Sequence, residues 1–211
     1  MLLDERRRPR GTLLWRGLDD PGSSRAIDAA TRRRIEEYVR PLAVGLDGVT
    51  NYGDVERMVD AAHAIASGRD DLDADLLFLL AVFSGQEKWV SRMGHRSRTE
   101  IFLSSLGVPE RTVRRLFRSL ARFETEPASP EEEIVHDAVR LESMGAYGIA
   151  RGLADAYRER LDIPEMAAAI DEAASAPLRT ERGRELAAPR QELMRGFARR
   201  LREEHAEFTR R

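Results

Sequence analysis

Apolar residues recur at three- and four-residue intervals along nearly the whole chain, and no stretch alternates apolar with polar residues as a half-buried β-strand does. The apolar positions between residues 55 and 66 form one stripe, whereas residues 76–83 are apolar without interruption. A helix that is apolar on every side belongs in the middle of a bundle. The pattern therefore predicts an all-α fold, a bundle of roughly eight helices around a central helix at about residues 72–83.

Capping residues, prolines and glycines set the predicted helix limits. The helices are expected over about 24–40, 51–67, 72–83, 97–106, 109–123, from 130 onward, 164–175 and 179–208. Gly145, Gly148 and Gly152 indicate close approach of another backbone or a ligand, and Pro189 is expected to kink or divide the last helix. Residues 1–22 are interpreted as an N-terminal extension and residues 23–211 as one domain.

Composition excludes several classes of protein. The 211 residues include 35 lysines and arginines against 37 acidic residues, and this near balance argues against general nucleic-acid binding. Because cysteine is absent, disulfides, thiolate metal sites and cysteine nucleophiles are excluded. No apolar run approaches the roughly 20 residues that a membrane span needs. A cytoplasmic bacterial protein is the expected setting, and the sequence leaves a homo-oligomer open.

The most specific segment is Glu133–Arg151, which reads EIVHDAVRLESMGAYGIAR. It resembles the late block of HD-superfamily metal-dependent phosphohydrolases, V-x-D-A-D-R-L-D-A-x-G-A-x-G-I-A-R. The resemblance implies an all-α HD-like fold. It places Asp137 at the last metal-binding aspartate of the family and Glu142 at a position that the family fills with aspartate. Arg190 and its neighbours fit the final helix of the family, which covers the core.

Other family positions are changed. Asp54 stands where the family has a metal-ligating histidine, and Ser84 and Gly85 stand where it has the His-Asp pair that gives it its name. A shifted alignment puts Val82 and Phe83 at the pair. Two carboxylates cannot replace a nitrogen-rich transition-metal site, although Mg²⁺ is often held by one or two carboxylates. We therefore expect no metal centre of the family type and no cofactor, with weak Mg²⁺ binding left open.

The resemblance and the residue chemistry together suggest a site. Asp54 and Asp137 are expected to share a pocket as an acid and a base, with His95 as a base or an anion ligand. The expected ligand-binding residues are Arg140, Arg151, Tyr147, Glu142, Ser84 and Trp89. Arg140 and Arg151 are eleven residues apart and would share one face of a continuous helix. The structural alternative for Asp137 is an ion pair with Arg140 on the same helix.

Three functions remain open at this point. The first is a metal-independent HD-like protein that binds or converts a small polar or anionic metabolite, as a biosynthetic enzyme would. The second is a metal-dependent nucleotide phosphohydrolase. The third is a non-catalytic module that senses a ligand or binds a partner.

Overall fold

The computed structural model describes residues 27–43, 52–86 and 93–209 of the chain. Across these three ranges the secondary structure consists of nine α-helices and two short 3₁₀ turns, and no strand occurs in them, which confirms the all-α prediction. The helices are α1 (Ala29–Val39), α2 (Tyr52–Ala66), α3 (Ala74–Phe83), α4 (Met93–Ser105), α5 (Glu110–Leu120), α6 (Pro130–Glu142), α7 (Gly145–Glu159), α8 (Ile163–Ala174) and α9 (Glu181–Thr209). The predicted extension, residues 1–22, lies outside the described residues.

Helix α3 is the centre of the bundle, as its composition predicts. Every side chain from Leu76 to Phe83 is buried, and α3 packs against α1, α2, α5 and α6. Burying one large apolar side chain contributes roughly 1.5–3 kcal/mol, so this helix holds a large part of the folding free energy. The Asp73 carboxylate accepts the amide N–H of Leu76 and caps the helix, two residues later than the expected start.

Helix starts follow local capping chemistry closely. Ser129 caps α6 ahead of a proline, and Asp162 and Glu165 form a reciprocal capping box at the start of α8. Asp28 caps α1, so that helix begins later than predicted. Helix α4 begins at Met93 rather than Ser97.

The predicted long helix from residue 130 is two helices. Helix α6 ends at Glu142, and α7 begins at Gly145, whose φ of +76° is a conformation that glycine adopts readily. A Cβ at Gly148 would stand 2.5 Å from the carbonyl carbon of Ser143 and closer still to its oxygen. The glycines therefore permit a tight turn between α6 and α7. The apolar periodicity alone predicts one continuous helix across this turn.

Helix α9 continues through Pro189, which neither ends nor divides it. Its 29 residues span about 44 Å. The proline costs one intrahelical hydrogen bond. Tertiary contacts on both sides of it compensate: Ala187 is buried before the proline, and after it Arg190 Nη1 donates to the carbonyl oxygen of Leu141 at 2.7 Å and Met194 is buried.

Three parts of the bundle meet beside the α6–α7 turn. Helix α2 packs along α6, while α9 packs on α8 and also contacts α6 and α7. This places the first turn of α2, the end of α6 and the first turns of α7 close together. In the parts of the chain that the structure describes, no helix combines the length and the apolar character that crossing a bilayer requires.

Candidate functional site

Five side chains from α2, α6 and α7 form an arginine–carboxylate cluster: Asp54, Arg57, Glu142, Tyr147 and Arg151. Arg57 Nε donates to Glu142 Oε1 at 2.8 Å, and Arg57 Nη2 donates to Asp54 Oδ1. The Tyr147 hydroxyl donates to the same Asp54 oxygen at 3.0 Å. The Arg57 guanidinium also lies 3.8 Å from the centre of the Tyr147 ring, which is within the range of cation–π attraction.

Arg151 joins the cluster through ion pairs rather than hydrogen bonds. Its Nη2 lies 2.9 Å from Asp54 Oδ1 and 3.8 Å from Glu142 Oε1. The approach to Asp54 is not aligned as a hydrogen bond, so the attraction is one between charges, and Nε and Nη2 have no acceptor among the described residues. With two carboxylates and two guanidiniums, the cluster is electrically balanced.

The two carboxylates of this cluster are buried, whereas most acidic side chains in proteins are exposed. Asp54 is 4% exposed and Glu142 is 7% exposed. Burial raises the pKa of the Glu142 carboxyl above its usual value, and the hydrogen bond from Arg57 offsets only part of that effect. Burial acts to lower the pKa of Arg57, but the hydrogen bond and the charge of Glu142 hold it above its usual value. The cluster thus contains one carboxyl that takes up a proton more readily than a solvated glutamate.

A cleft of about 610 Å³ opens beside the cluster, between α2, the α6–α7 turn and α9. Its charged lining residues are Arg57, Asp60, Glu142 and Arg190. The remaining lining is mostly apolar or small: Ala61, Ala64, Leu141, Met144, Gly145, Ala146, Tyr147, Leu186, Pro189 and Leu193. No side chain caps the start of α7, whose first residues line this cleft. Helix starts carry partial positive charge and unused N–H donors.

Asp137 lies in a hydrogen-bond network with its neighbour His136 and the chain at residues 179–180. It is fully buried, and its carboxylate accepts the amide N–H groups of Arg179 and Thr180, both at 2.8 Å. It also accepts the Thr180 hydroxyl at 2.7 Å, and His136 Nδ1 lies 2.9 Å from Oδ1. None of these partners belongs to the cluster around Asp54, and the acid–base pairing of the two aspartates stays a prediction. Asp137 joins α6 to the start of α9.

The hydrogen bonds to Asp137 predict a pH dependence of stability. Burial alone would raise the pKa of this carboxyl, but the donors from His136, Arg179 and Thr180 hold it below its ordinary value of 3.8. A depressed folded-state pKa contributes stability that is present above pH 3.8 and is lost as the pH falls through the lower folded-state value. The difference in urea-unfolding free energy between the native chain and Asp137→Asn should therefore shrink on acidification below that pH. The same substitution at exposed Asp155 is the control, and an unchanged difference would contradict the prediction.

The other expected site residues are dispersed. Arg140 and Arg151 lie on two helices separated by a turn, so the expectation that they share one helical face is wrong. Arg140 Nε is buried and has no hydrogen-bond partner among the described residues. His95 lies in the first turn of α4, where its carbonyl accepts the Thr99 hydroxyl. Ser84 follows α3, buried against Met58, and Trp89 lies outside the described residues.

Three residues of the site carried no functional assignment in the sequence: Arg57, Asp60 and Arg190. Arg57 follows Asp54 by three residues, a spacing that favours an ion pair on one helix face and that could have pointed to it. No local signal marks Asp60 and Arg190, because the cleft brings them together from α2 and α9.

The residues of the cluster do not fit the metal that the HD resemblance implies. Both Asp54 and Glu142 already face guanidinium groups, which compete directly with a cation. Within residues 27–43, 52–86 and 93–209, no three histidine, cysteine or acidic side chains are grouped so that they could hold a metal ion. No chemical step through a metal follows from this arrangement.

Solved structures show which fold the chain has. Lin1889 from Listeria innocua is 18% identical, with a TM-score of 0.68 over 83% of this chain and 95% of that one. YpgQ from Bacillus subtilis, solved in complex with ADP, is 21% identical, with a TM-score of 0.63 over 82% and 94%. A predicted HD superfamily hydrolase from an uncultured Thermotogales bacterium is 22% identical, with a TM-score of 0.58 over 82% and 91%. No protein-family model and no curated protein sequence matches the chain.

The likeness to the predicted HD superfamily hydrolase agrees with the fold that the resemblance of the Glu133–Arg151 segment implies. The chain shares the helical fold of these three structures, one of which is a predicted HD superfamily hydrolase, over more than four-fifths of its length. At these identities the likeness concerns the fold, and the chemistry of the site has to be argued from its own residues.

Proposed function

We propose that this chain binds a small anionic metabolite in the cleft beside the arginine–carboxylate cluster, and does so without an HD-type metal centre. The observation that carries the proposal is the placement of Arg57 and Arg190 on the walls of a cleft that ends at the uncapped start of α7. Guanidinium groups bind carboxylates and phosphates through paired hydrogen bonds. A helix start adds N–H donors and a favourable dipole.

The apolar part of the lining limits the ligand further. Leu141, Met144, Leu186 and Leu193 line the same cleft as the two arginines. A ligand with an apolar body and an anionic group can bury the first against the leucines and pair the second with a guanidinium. Small-molecule sites commonly combine mostly apolar walls with a few placed polar groups.

Acid–base chemistry on such a ligand would fall to Glu142 rather than to Asp137. Glu142 lines the cleft, and burial raises the pKa of its carboxyl, so it holds a proton more readily than a solvated glutamate does. Asp137 has a depressed pKa, and its two oxygens are engaged by the chain at residues 179–180. It is therefore a poor proton carrier.

An anion-binding panel tests the proposal. Inorganic phosphate, pyrophosphate and ADP would be added separately and unfolding followed by thermal shift, with calorimetric titration of any ligand that stabilises. A bound anion at 100 times its Kd should add about 2.7 kcal/mol, which raises Tm by roughly 5–10 °C in a chain of this size. The substitution Arg190→Gln should weaken binding, because it removes a guanidinium that lines the cleft.

Arg158→Gln is the matched control for this panel. Arg158 is an exposed residue of α7 that pairs with Asp155 at 2.9 Å and does not line the cleft, so its loss should leave anion binding unchanged. Unfolding that no anion shifts, or binding that Arg190→Gln leaves intact, would contradict the proposal.

A second candidate is a metal-dependent nucleotide phosphohydrolase, which the fold likeness to a predicted HD hydrolase and to the ADP-bound YpgQ favours. We expect the chain to retain no transition metal after incubation with Mn²⁺, Fe²⁺ or Ni²⁺ and desalting, because guanidiniums already neutralise its carboxylates. Elemental mass spectrometry measures this directly. Stoichiometric metal together with chelator-sensitive phosphate release from ADP would establish the second candidate in place of the first.

A further inference from the structure

The charges that line the cleft are not all neutralised within the protein. Arg57 and Glu142 pair with each other at 2.8 Å and belong to the balanced cluster. The remaining charged lining residues are Asp60 on α2 and Arg190 on α9. Among the described residues, no hydrogen bond or ion pair engages the Asp60 carboxylate, and the only hydrogen bond of the Arg190 side chain goes to the main-chain oxygen of Leu141. The cleft therefore retains one negative and one positive group that face the same space.

The surroundings of Asp60 favour a cationic partner. Burial, followed by the nearby charge of Glu56, raises the pKa of the Asp60 carboxyl, while His63 acts weakly in the opposite direction. A carboxylate that has lost part of its hydration beside a second acid gains from an ammonium group placed against it. Leu186 and Leu193 supply apolar surface in the same cleft.

We propose that the ligand of the cleft is a zwitterion, with an ammonium group bound at Asp60, an anionic group bound at Arg190 and an apolar body between them. This inference rests on the proposed function and names the class of ligand for it. It makes Asp60 a specificity-determining residue, because Asp60 pairs with the ammonium group that a zwitterion has and an anion of the same size lacks.

The test uses ω-amino acids from aminobutanoate to aminooctanoate, each compared with the carboxylic acid and the alkylamine of equal length. Binding is measured by ligand-observed NMR saturation transfer and calorimetric titration. One chain length should bind roughly threefold or more tightly than either singly charged analogue, as one additional exposed ion pair provides. The substitution Asp60→Asn should reduce its affinity to that of the carboxylic acid, and Arg190→Gln should reduce it to that of the amine.

Asp155→Asn, which removes an exposed carboxylate of α7 away from the cleft, is the control and should leave the preference intact. If the carboxylic acid binds as tightly as the amino acid, the proposal of a zwitterionic ligand is wrong, whereas the proposed binding of an anion is still supported. If the preference survives Asp60→Asn, the assignment of Asp60 is wrong. If no member of the series binds, and phosphate, pyrophosphate and ADP also fail, both this inference and the proposed function are overturned.

Discussion

Replacing Asp137 with alanine is expected to lower the free energy of unfolding by about 4 kcal/mol, because it leaves buried donors without an acceptor. The amide N–H groups of Arg179 and Thr180 and the Thr180 hydroxyl all donate to this carboxylate. In a chain of this length the loss corresponds to a fall in Tm of roughly 8–16 °C. Calorimetry, or urea unfolding followed by circular dichroism, measures it.

The same experiment separates a structural role for Asp137 from a catalytic one. A catalytic aspartate is replaced with little loss of stability and a large loss of activity, whereas a buried cap shows the reverse. Asp155→Ala removes an exposed carboxylate and should change the unfolding free energy by no more than about 0.5 kcal/mol. A stable Asp137→Ala variant that no longer binds any ligand would contradict the structural role.

The substitution Gly148→Ala is expected to destabilise the chain by more than about 3 kcal/mol, or to prevent folding, because the new Cβ collides with main chain. The carbonyl group of Ser143 lies where that carbon would stand. Relief of the collision requires α6 and α7 to separate, and this would move Tyr147 and Arg151 away from Asp54. Thermal unfolding and the yield of folded protein report the effect.

Gly152→Ala is the matched control in the same helix. The nearest side-chain atom to a Cβ there is Ile170 Cγ1 at 4.0 Å, which is an ordinary contact. Alanine also favours helix over glycine by about 1 kcal/mol, so this variant should be as stable as the native chain or slightly more so. Equal destabilisation by the two substitutions would show that the α6–α7 turn has no such steric limit.

The fold was predictable where local chemistry decides it. The unbroken apolar run at residues 76–83 predicted the central helix, and Ser129 and Pro130 predicted the start of α6, since capping and burial are encoded by neighbouring residues. The break at Ser143 and Met144 was missed because both adjoining helices continue the same apolar periodicity. The positive φ of Gly145 and the collision that a Cβ at Gly148 would make distinguish a turn from a helix there.

The site was predictable in part for a related reason. Asp54, Glu142, Tyr147 and Arg151 were expected site residues, and the structure brings these four together. For Asp137, the motif gives the position of the residue but not the direction of its side chain around the helix. Glu142 follows Asp137 by five positions, and this spacing turns their side chains to different sides of α6. Arg190 reaches the cleft through tertiary packing, which no local pattern encodes.

The long helix α9 is held near its start, and most of its length lies beyond that point. Asp137 accepts a hydrogen bond from Thr180, just before α9 begins. Along the helix axis, Arg190 lines the cleft about 15 Å from Thr180, and Thr209 lies about 44 Å from it. A tilt that moves Arg190 by about 1 Å would therefore displace the far end by about 3 Å. Helix α8, which the Asp171–Arg202 ion pair links to α9, would move with it. Such a tilt would couple the position of Arg190 in the cleft to a surface distant from it.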